Sequence, residues 1–581
     1  MSFKNRKKNY PLYETTKFSD FREMTENVAA KYPDKCAFVY KNEPKQKTPE
    51  RITFTECRDL VRALATELHF MKVENKKIAI IGVASVEWFM SYTALMSVGA
   101  VTVPVDKELP AEDAASILNT AECEIVFASA SAWAKVKETV ALCPSVKLSV
   151  IMGYGSDAIE GENTVTFDNL VSAGKEKLEA GDRSYFDYKI DNEKLASIVF
   201  TSGTTGKGKG VMLSLKNICS DMEQGMYNFN ITERTLFALP PHHTFGSTVN
   251  FVGHFAQGCE VYISSGIRYI MEELNSFKPT HLILVPLFVE TFYKRIMSAA
   301  EKSGQLPKLT KGIKISNALR KVGIDLREKL FGKSVLSKFG GELKMIICGG
   351  AALNQSIIDF FESIGVVILN GYGITECAPL ISCNRNECRK QGSVGLPIIG
   401  GVVKIDNPNE NGEGEICYRG PNVMLGYYQN EEATREVIDS EGYFHTGDMG
   451  YVKVIDGDQW LYITGRIKNL IILSNGKNVY PEEIETDIQG IYGVGEVVVY
   501  EGESKSGNKS DLIVAEIYPD FDSLKLHGIE DAEAYFNAEV KKVNEKNASY
   551  KHVGLVKIRN EEFPKNTSRK ITRFKLDKTV D

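Results

Sequence analysis

An α/β fold is predicted for this chain by three observations. Short apolar runs alternate with amphipathic stretches through the first two-thirds of the sequence. The runs are continuous rather than alternating, as strands buried on both faces of parallel sheets are. After Gly401 the pattern changes to short strands broken by turns, and it changes again after Arg466. At 581 residues the chain exceeds what one core serves, so several domains are expected.

The elements follow in order. Lys77 to Val83 reads as a strand, Val86 to Ser97 as a helix and Ala100 to Val105 as a strand. Ala111 to Thr120 is helical, and Ile125 to Ala128 and Val146 to Met152 are strands. The stretch Val86 to Val105 is the most apolar, but Glu87, Ser91, Tyr92, Ser97 and Gly99 interrupt it, so a buried helix and strand are expected rather than a membrane span. Later strands fit Leu282 to Pro286, Leu343 to Cys348 and Val366 to Asn370. Residues 300–342, rich in Lys and Gly, read as helices of a surface insertion. From Gly401 to Ile463, turns such as Asp456-Gly457 mark a small β-rich subdomain. After Arg466, strands at Val497 to Val499 and Leu512 to Ile517 and a helix at Ala532 to Lys546 fit a small α+β domain.

Composition narrows the function classes. Hydrophobic content of 43% and charged content of 25% are ordinary for a globular protein. The net charge of −6 argues against nucleic-acid binding. Eleven cysteines without a C-x-x-C pair fit reduced thiols and a cytoplasmic setting. The gaps between Cys377, Cys383, Cys388 and Cys417 do not fit zinc ligation. The basic start, with Lys4, Arg6, Lys7 and Lys8, lacks the apolar core of a signal peptide. It is expected to be a solvated tail, with peripheral contact at the inner membrane face as the alternative.

One stretch carries most of the chemistry. The apolar run Leu195 to Phe200 reads as a buried strand, and the ten residues from Thr201 to Gly210 hold four glycines, three threonines, a serine and two lysines. Glycines let backbone N–H groups turn inward as an anion nest, while hydroxyls and lysines add donors and charge. A polyphosphate suits such a cradle. A Walker A loop needs a hydroxyl where Gly210 stands, and it runs directly into a helix. Here β-leaning Val211 to Leu213 intervenes, and Ser214 reads as the N-cap of a helix from Leu215 to about Asn228. Four further clusters share the theme: Asn370-Gly-Tyr-Gly-Ile-Thr-Glu376, Tyr443-Phe-His-Thr-Gly-Asp448, Thr464-Gly-Arg-Ile-Lys468 running on to Glu485, and Phe563-Pro-Lys-Asn-Thr-Ser-Arg-Lys570. Each alone has a structural reading as a turn, a loop or a surface charge.

Together, in this order, they resemble the adenylate-forming superfamily of acyl-CoA synthetases, peptide-synthetase adenylation domains and firefly luciferase. The resemblance covers about residue 16 to 578. It implies a large domain (1–466) of doubly wound αβαβα sheets with the β-rich subdomain, and a small mobile domain (467–581). It implies that Thr201, Ser202, Gly203, Thr204, Thr205, Gly206, Lys207 and Lys209 hold the β- and γ-phosphates of ATP, with Thr204 also near the metal. Gly350 and Ala351 would pass along the adenine, Tyr372 would stack on it, and Asn370 and Gly371 would lie beside it. Thr375 would contact the α-phosphate, Glu376 the Mg²⁺, and Asp448 and Arg466 the ribose. Lys570 would be the catalytic lysine and Lys468 the hinge, with Gly476 in the segment presented to coenzyme A. Two departures stand out: Gly208 replaces a proline, which should loosen the loop, and Arg569 replaces a glycine.

Segments around Arg327, Cys348 and Leu473 are similar to long-chain acyl-CoA synthetases, and Tyr372-Gly-Ile-Thr-Glu-Cys-Ala-Pro also resembles acyl-carrier-protein synthetases. His242, His243 and Gly246 match the segment near the acyl tunnel. A zinc site at His242, His243 and His254 is the weaker reading beside pocket lining. The expected activity is ATP-dependent activation of a fatty acid and transfer to CoA. The alternatives are ligation to acyl carrier protein, adenylation of an amino acid, and a non-catalytic nucleotide-sensing scaffold. No carrier-domain arm is expected after Lys570. Monomer and homodimer both remain open.

Overall fold

The structure, a computed structural model, describes residues 12–201, 208–474, 477–505, 509–565 and 571–580. Among these residues, two large sheets organise the amino-terminal four-fifths. In the first, the strands Thr164–Thr166, Leu148–Met152, Ile125–Ser129, Lys77–Ile81, Val101–Val105 and Leu195–Thr201 run parallel. Lys209–Ser214 and Gly426–Tyr427 extend that sheet antiparallel. In the second, Cys36–Tyr40, Glu260–Ile263, Arg234–Phe237, His281–Leu284, Met345–Cys348 and Val367–Gly373 are parallel. Antiparallel strands close both of its edges.

The helix Val86–Ser97 explains the stacking. Ser85 caps it by accepting from the Trp88 N–H, and eleven of its twelve residues are buried. A helix buried on all sides belongs between layers. Phe89 stacks on Phe251 at 4.4 Å and on Phe38 at 5.7 Å, and the same core takes in Ile78 and Ile80 of the other sheet. Helices Ala111–Ala121 and Trp133–Ala141 cover the outer face of one sheet, and Pro286–Lys302 and Gln355–Ile364 that of the other. The order is helix, sheet, helix, sheet, helix, as the resemblance implied. No helix among the described residues is long and apolar enough to cross a membrane.

The β-rich segment is an antiparallel sheet of Val402–Asp406, Gly414–Arg419, Phe444–Ile455 and Asp458–Arg466. Its Asp456-Gly457 turn has φ of 58° and 90°, the left-handed pair that a two-residue hairpin requires. After Arg466, the strands Val494–Glu503, Lys509–Pro519 and Leu555–Ile558 pack with helices Pro481–Gln489 and Ala532–Asn544 around a core of their own. This part meets the rest through Asn354 Nδ2, which donates to Thr486 O at 2.8 Å, Lys294 Nζ, which donates to Val494 O at 3.2 Å, and His527 beside Glu301 at 2.9 Å.

One expectation changes. Residues 300–342 form more than a surface insertion. Leu306–Lys321 is indeed an outer helix, but Phe331, Val335, Leu336 and Phe339 are buried in the core beneath it.

Candidate active site

The candidate residues collect at the carboxyl ends of the parallel strands, where open α/β sheets bind ligands. Thr201 ends Leu195–Thr201, Asp106 follows Val101–Val105, and His242 lies beyond Arg234–Phe237. Gly350 and Ala351 follow Met345–Cys348, and Asn370, Gly371 and Tyr372 end Val367–Gly373.

Thr201 and Lys209 face each other across the antiparallel pair, and the Thr201 hydroxyl donates to Lys209 O at 3.3 Å. A strand rather than a helix follows the loop, which is not Walker A geometry. Ser214 then caps Leu215–Asn228 in a capping box with Asn217. Gly208 is closely approached: a Cβ there would stand 2.6 Å from Thr201 O. Ser202, Gly203, Thr204, Thr205, Gly206 and Lys207 lie outside the described residues, as do Gly476 and Lys570.

Two polar chains tie the distant segments together. In the first, Lys209 Nζ sits 4.5 Å from the centre of the Tyr427 ring, and the Tyr427 hydroxyl donates to Glu376 Oε1 at 2.9 Å. Burial, then the charge of Glu376, raises the Tyr427 phenol so that it keeps its proton. In the second, the Tyr372 hydroxyl donates to Asp448 Oδ2 at 2.7 Å and Arg466 Nε to Asp448 Oδ1 at 2.9 Å. Burial and the Asp448 carboxylate hold the Tyr372 phenol well above its ordinary range. Asp448 and Arg466 are cross-strand partners, so their pairing follows from the hairpin register. Glu415 steadies the turn before Asp448, accepting from the Gly447 N–H at 2.9 Å and pairing with His445 Nδ1 at 2.9 Å.

The His242–Gly246 segment joins this edge. Gly246 is the second residue of the π-helix Phe245–Val252, and a Cβ on it would lie 2.1 Å from Pro240 O, so only glycine fits. The Phe245 ring rests beside Gly349, next to Gly350. His242 and His243 lie 4.3 Å apart, ring to ring. Burial, then His243 and Lys107, holds His242 well below the usual histidine range, so it is neutral 3.7 Å from Asp106. Thr375 opens a short 3₁₀ turn with Glu376, and Lys468 lies in another, Ile467–Asn469, directly after Arg466.

The family model for AMP-binding enzymes matches residues 25–428. The chain belongs to the AMP-binding enzyme family. A chloroplastic long-chain-fatty-acid–[acyl-carrier-protein] ligase of Arabidopsis thaliana is 28% identical, over 80% of this chain and 72% of the relative. Long-chain-fatty-acid–CoA ligase 1 of Cavia porcellus is 28% identical, over 82% of this chain and 70% of the relative. Among solved structures, an anthranilate CoA ligase in complex with anthranoyl-AMP is similar, with a TM-score of 0.74 and 20% identity over 98% of both chains. The o-succinylbenzoate CoA synthetase of Bacillus subtilis with ATP and magnesium gives a TM-score of 0.70 and 21% identity over 95% of this chain and 98% of the other. These structures share the fold of this AMP-binding enzyme.

Its histidines divide differently from the zinc reading. His254 does not join His242 and His243; it stacks on His281, a strand residue with no local mark in the sequence. His254 Nδ1 donates to Asn250 O at 2.5 Å, so its Nε2 accepts from His281 Nε2 at 2.6 Å. His281 Nδ1 then accepts from the Thr232 hydroxyl at 2.7 Å. With both rings neutral every nitrogen of this chain has a partner. Burial lowers His254 to about 4 and holds His281 well below the ordinary value. An unfolded histidine titrates near 6.5, so in acid the unfolded state binds protons that the folded state refuses. Stability is therefore full above pH ~6.5 and falls as pH drops toward ~4, by on the order of 3 kcal/mol for His254 alone. Urea midpoints across that window report the fall, and His281→Gln, which keeps one donor and one acceptor, flattens it. A wild-type slope equal to that of His281→Gln contradicts the assignment.

Proposed function

We propose that this AMP-binding enzyme activates a long-chain fatty acid as its acyl-adenylate at the expense of ATP, then transfers the acyl group to the thiol of coenzyme A. The observation that carries this reading is the meeting of Lys209, Tyr427 and Glu376 with Tyr372, Asp448 and Arg466 at one strand edge, beside the His242–Gly246 segment. The named long-chain ligases among its relatives support the substrate class.

A carboxylate does not acylate a thiol at neutral pH because oxide is a poor leaving group. Joined to AMP, the same oxygen leaves as a phosphate ester. In the first step the fatty carboxylate attacks the α-phosphorus in line, a P–O bond forms, and pyrophosphate departs with the electron pair of the broken bond. Two anions must meet, so neutralising charge is the main task. In this reading Lys209 and the Ser202–Lys207 loop hold the β- and γ-phosphates, Thr375 the α-phosphate, and Lys570 the two meeting oxygens. Asp448 and Arg466 take the ribose hydroxyls, which requires Asp448 to exchange its present partners for them. Tyr372 offers its ring to the base. Glu376 presents a carboxylate oriented by Tyr427, a hard oxygen donor that suits Mg²⁺. Bound there, Mg²⁺ supplies charge to the phosphates. In the second step the CoA thiolate attacks the acyl carbonyl and AMP leaves.

The same proposal divides the chain at Arg466, with residues 467–581 turning about Lys468 between the steps so that one site serves both chemistries. Lys468→Pro fixes one backbone angle there and is expected to slow thioester formation more than adenylate formation. A rapid-mixing comparison showing the reverse rejects Lys468 as the hinge. The activity itself is tested by AMP and pyrophosphate release over a carboxylate panel from acetate to oleate, aryl and amino acids, with CoA and with holo carrier protein. Release with oleate and CoA supports the reading. Release only with holo carrier protein moves the acceptor, and none with any acid removes the activity. The cytoplasm and the inner membrane face are the proposed location, reached by peripheral contact.

A further inference from the structure

We infer that the outer face of the helix Leu306–Lys321, with the turn and short helix after it, is a docking surface for an anionic lipid bilayer. This deepens the peripheral contact proposed above by assigning it a surface, and in that it rests on that reading. Residues 306–338 hold nine lysines and arginines against two acids, in a chain whose net charge is −6. The helix has two apolar faces. Leu309 and Ile313 turn inward and pack on the core formed with Phe331 and Phe361. Ile315 and Val322 point out, at 46% and 72% exposure, and Ile324 and Leu330 of the following turn and short helix are exposed at 48% and 39%.

Lys311, Ile315, Ala318 and Val322 fall at i, i+4, i+7 and i+11, one stripe of a helical surface. Lys308, Lys314 and Lys321 flank it. Among the described residues none of Lys308, Lys311, Lys314, Lys321, Lys329 and Lys333 has an ion-pair partner; Arg327 is held by Asp325. Among the described residues the helix packs on Pro286–Lys302 and Gln355–Ile364, and only Ser316 of its sixteen residues is buried.

Exposed aliphatic side chains on a basic field ask for a partner that takes both. A second copy of the chain would oppose lysines to lysines. An acidic protein would satisfy the lysines but not bring acyl chains for Ile315 and Val322. An anionic bilayer satisfies both: the lysines meet the headgroups and the aliphatic stripe enters the acyl boundary, as an interfacial amphipathic helix does. Each lysine near such a surface contributes roughly a fivefold gain in partitioning.

The test is sedimentation of the full chain with vesicles of phosphatidylcholine alone or mixed with phosphatidylglycerol. Binding is expected only to the mixed vesicles and is expected to weaken with salt. Lys311→Ala with Lys314→Ala should lower it roughly 25-fold. Ile315→Ser with Val322→Ser should lower it about tenfold or more at low salt. In both pairs the far-ultraviolet spectrum and AMP release with a short water-soluble acid should be unchanged. Three results overturn the inference: no binding to mixed vesicles, full binding by both pairs (which moves the contact to the basic amino terminus), or loss against an acidic holo carrier protein while vesicle binding persists. Sedimentation needs no turnover, so vesicle binding without AMP release would sink the activity and leave the surface standing.

Discussion

Lys570→Ala is expected to lower acyl-adenylate formation by about 10²–10³-fold or more, the effect of losing one preorganised charge worth ~3 kcal/mol or more. Thioester formation from supplied acyl-adenylate should be nearly unchanged, because the charge is needed where two anions meet and not where a thiolate meets a carbonyl. The fold should survive the substitution. On one side of this lysine Phe563 is buried among Val498, Tyr500 and Val514, and Lys565 is held by Glu496 at 2.5 Å and Glu562 at 2.7 Å. On the other, Arg573 reaches Glu485 at 2.5 Å and Val499 O at 3.0 Å. Lys565 and Ile571 are bridged to one another. These anchors lie outside position 570, so the substitution tests chemistry rather than folding. Pyrophosphate exchange reports the first step, and thioester formation from synthetic oleoyl-adenylate the second. Equal loss in both contradicts the role.

The parts legible in the sequence are those with local causes. The apolar run Leu195 to Phe200, the β-leaning residues after the loop and the Ser214 cap each act within a few residues, and the structure places strand, strand and helix there. The helix Val86–Ser97 was legible because polar residues in an apolar run fit a buried helix and not a membrane span. The bounds of the strands shifted by one to four residues where ladder bonds, not composition, set the ends, most at Val494–Glu503.

What escaped has its cause far away along the chain. Tyr427 bridges Lys209 and Glu376, but Gly-Tyr-Tyr between turns carries no mark of that. His281 reads as an ordinary strand residue until His254 arrives 27 positions away in sequence. The close approach of Thr201 O to Gly208, 2.6 Å from where a Cβ would stand, is a property of the hairpin and has no local mark. The inward packing of Phe331 and Phe339 was masked by the lysines around them.

Asn422→Ala is expected to destabilise the protein by about 4 kcal/mol, as several buried groups lose their partners at once. Asn422 is fully buried. Its Nδ2 donates to Cys377 O at 2.7 Å, Leu380 O at 2.8 Å and Asp221 Oδ1 at 3.0 Å, and its Oδ1 accepts from the Tyr418 hydroxyl at 2.8 Å. Asp221 also accepts from the Leu380 N–H at 2.9 Å. Burial drives the Asp221 carboxyl well above the usual range, and only that N–H and the Asn422 amide oppose it. The truncation removes the amide partner of two carbonyls and a phenol, and one of the two restraints on a buried carboxyl. The consequence reaches the site because Cys377 follows Glu376 directly, and Asp221 lies on the helix Leu215–Asn228, which follows the strand Lys209–Ser214. The amide therefore links the metal-binding candidate to that helix. Chemical denaturation should show the midpoint falling with an unchanged slope, and any activity left at low temperature should show a raised requirement for Mg²⁺. Asn422→Asp, isosteric but acidic beside Asp221, should be as destabilising at neutral pH and recover in part as pH falls. A midpoint within ~0.5 kcal/mol of wild type for Asn422→Ala would mean that water replaces the amide and that the link does not hold the two segments.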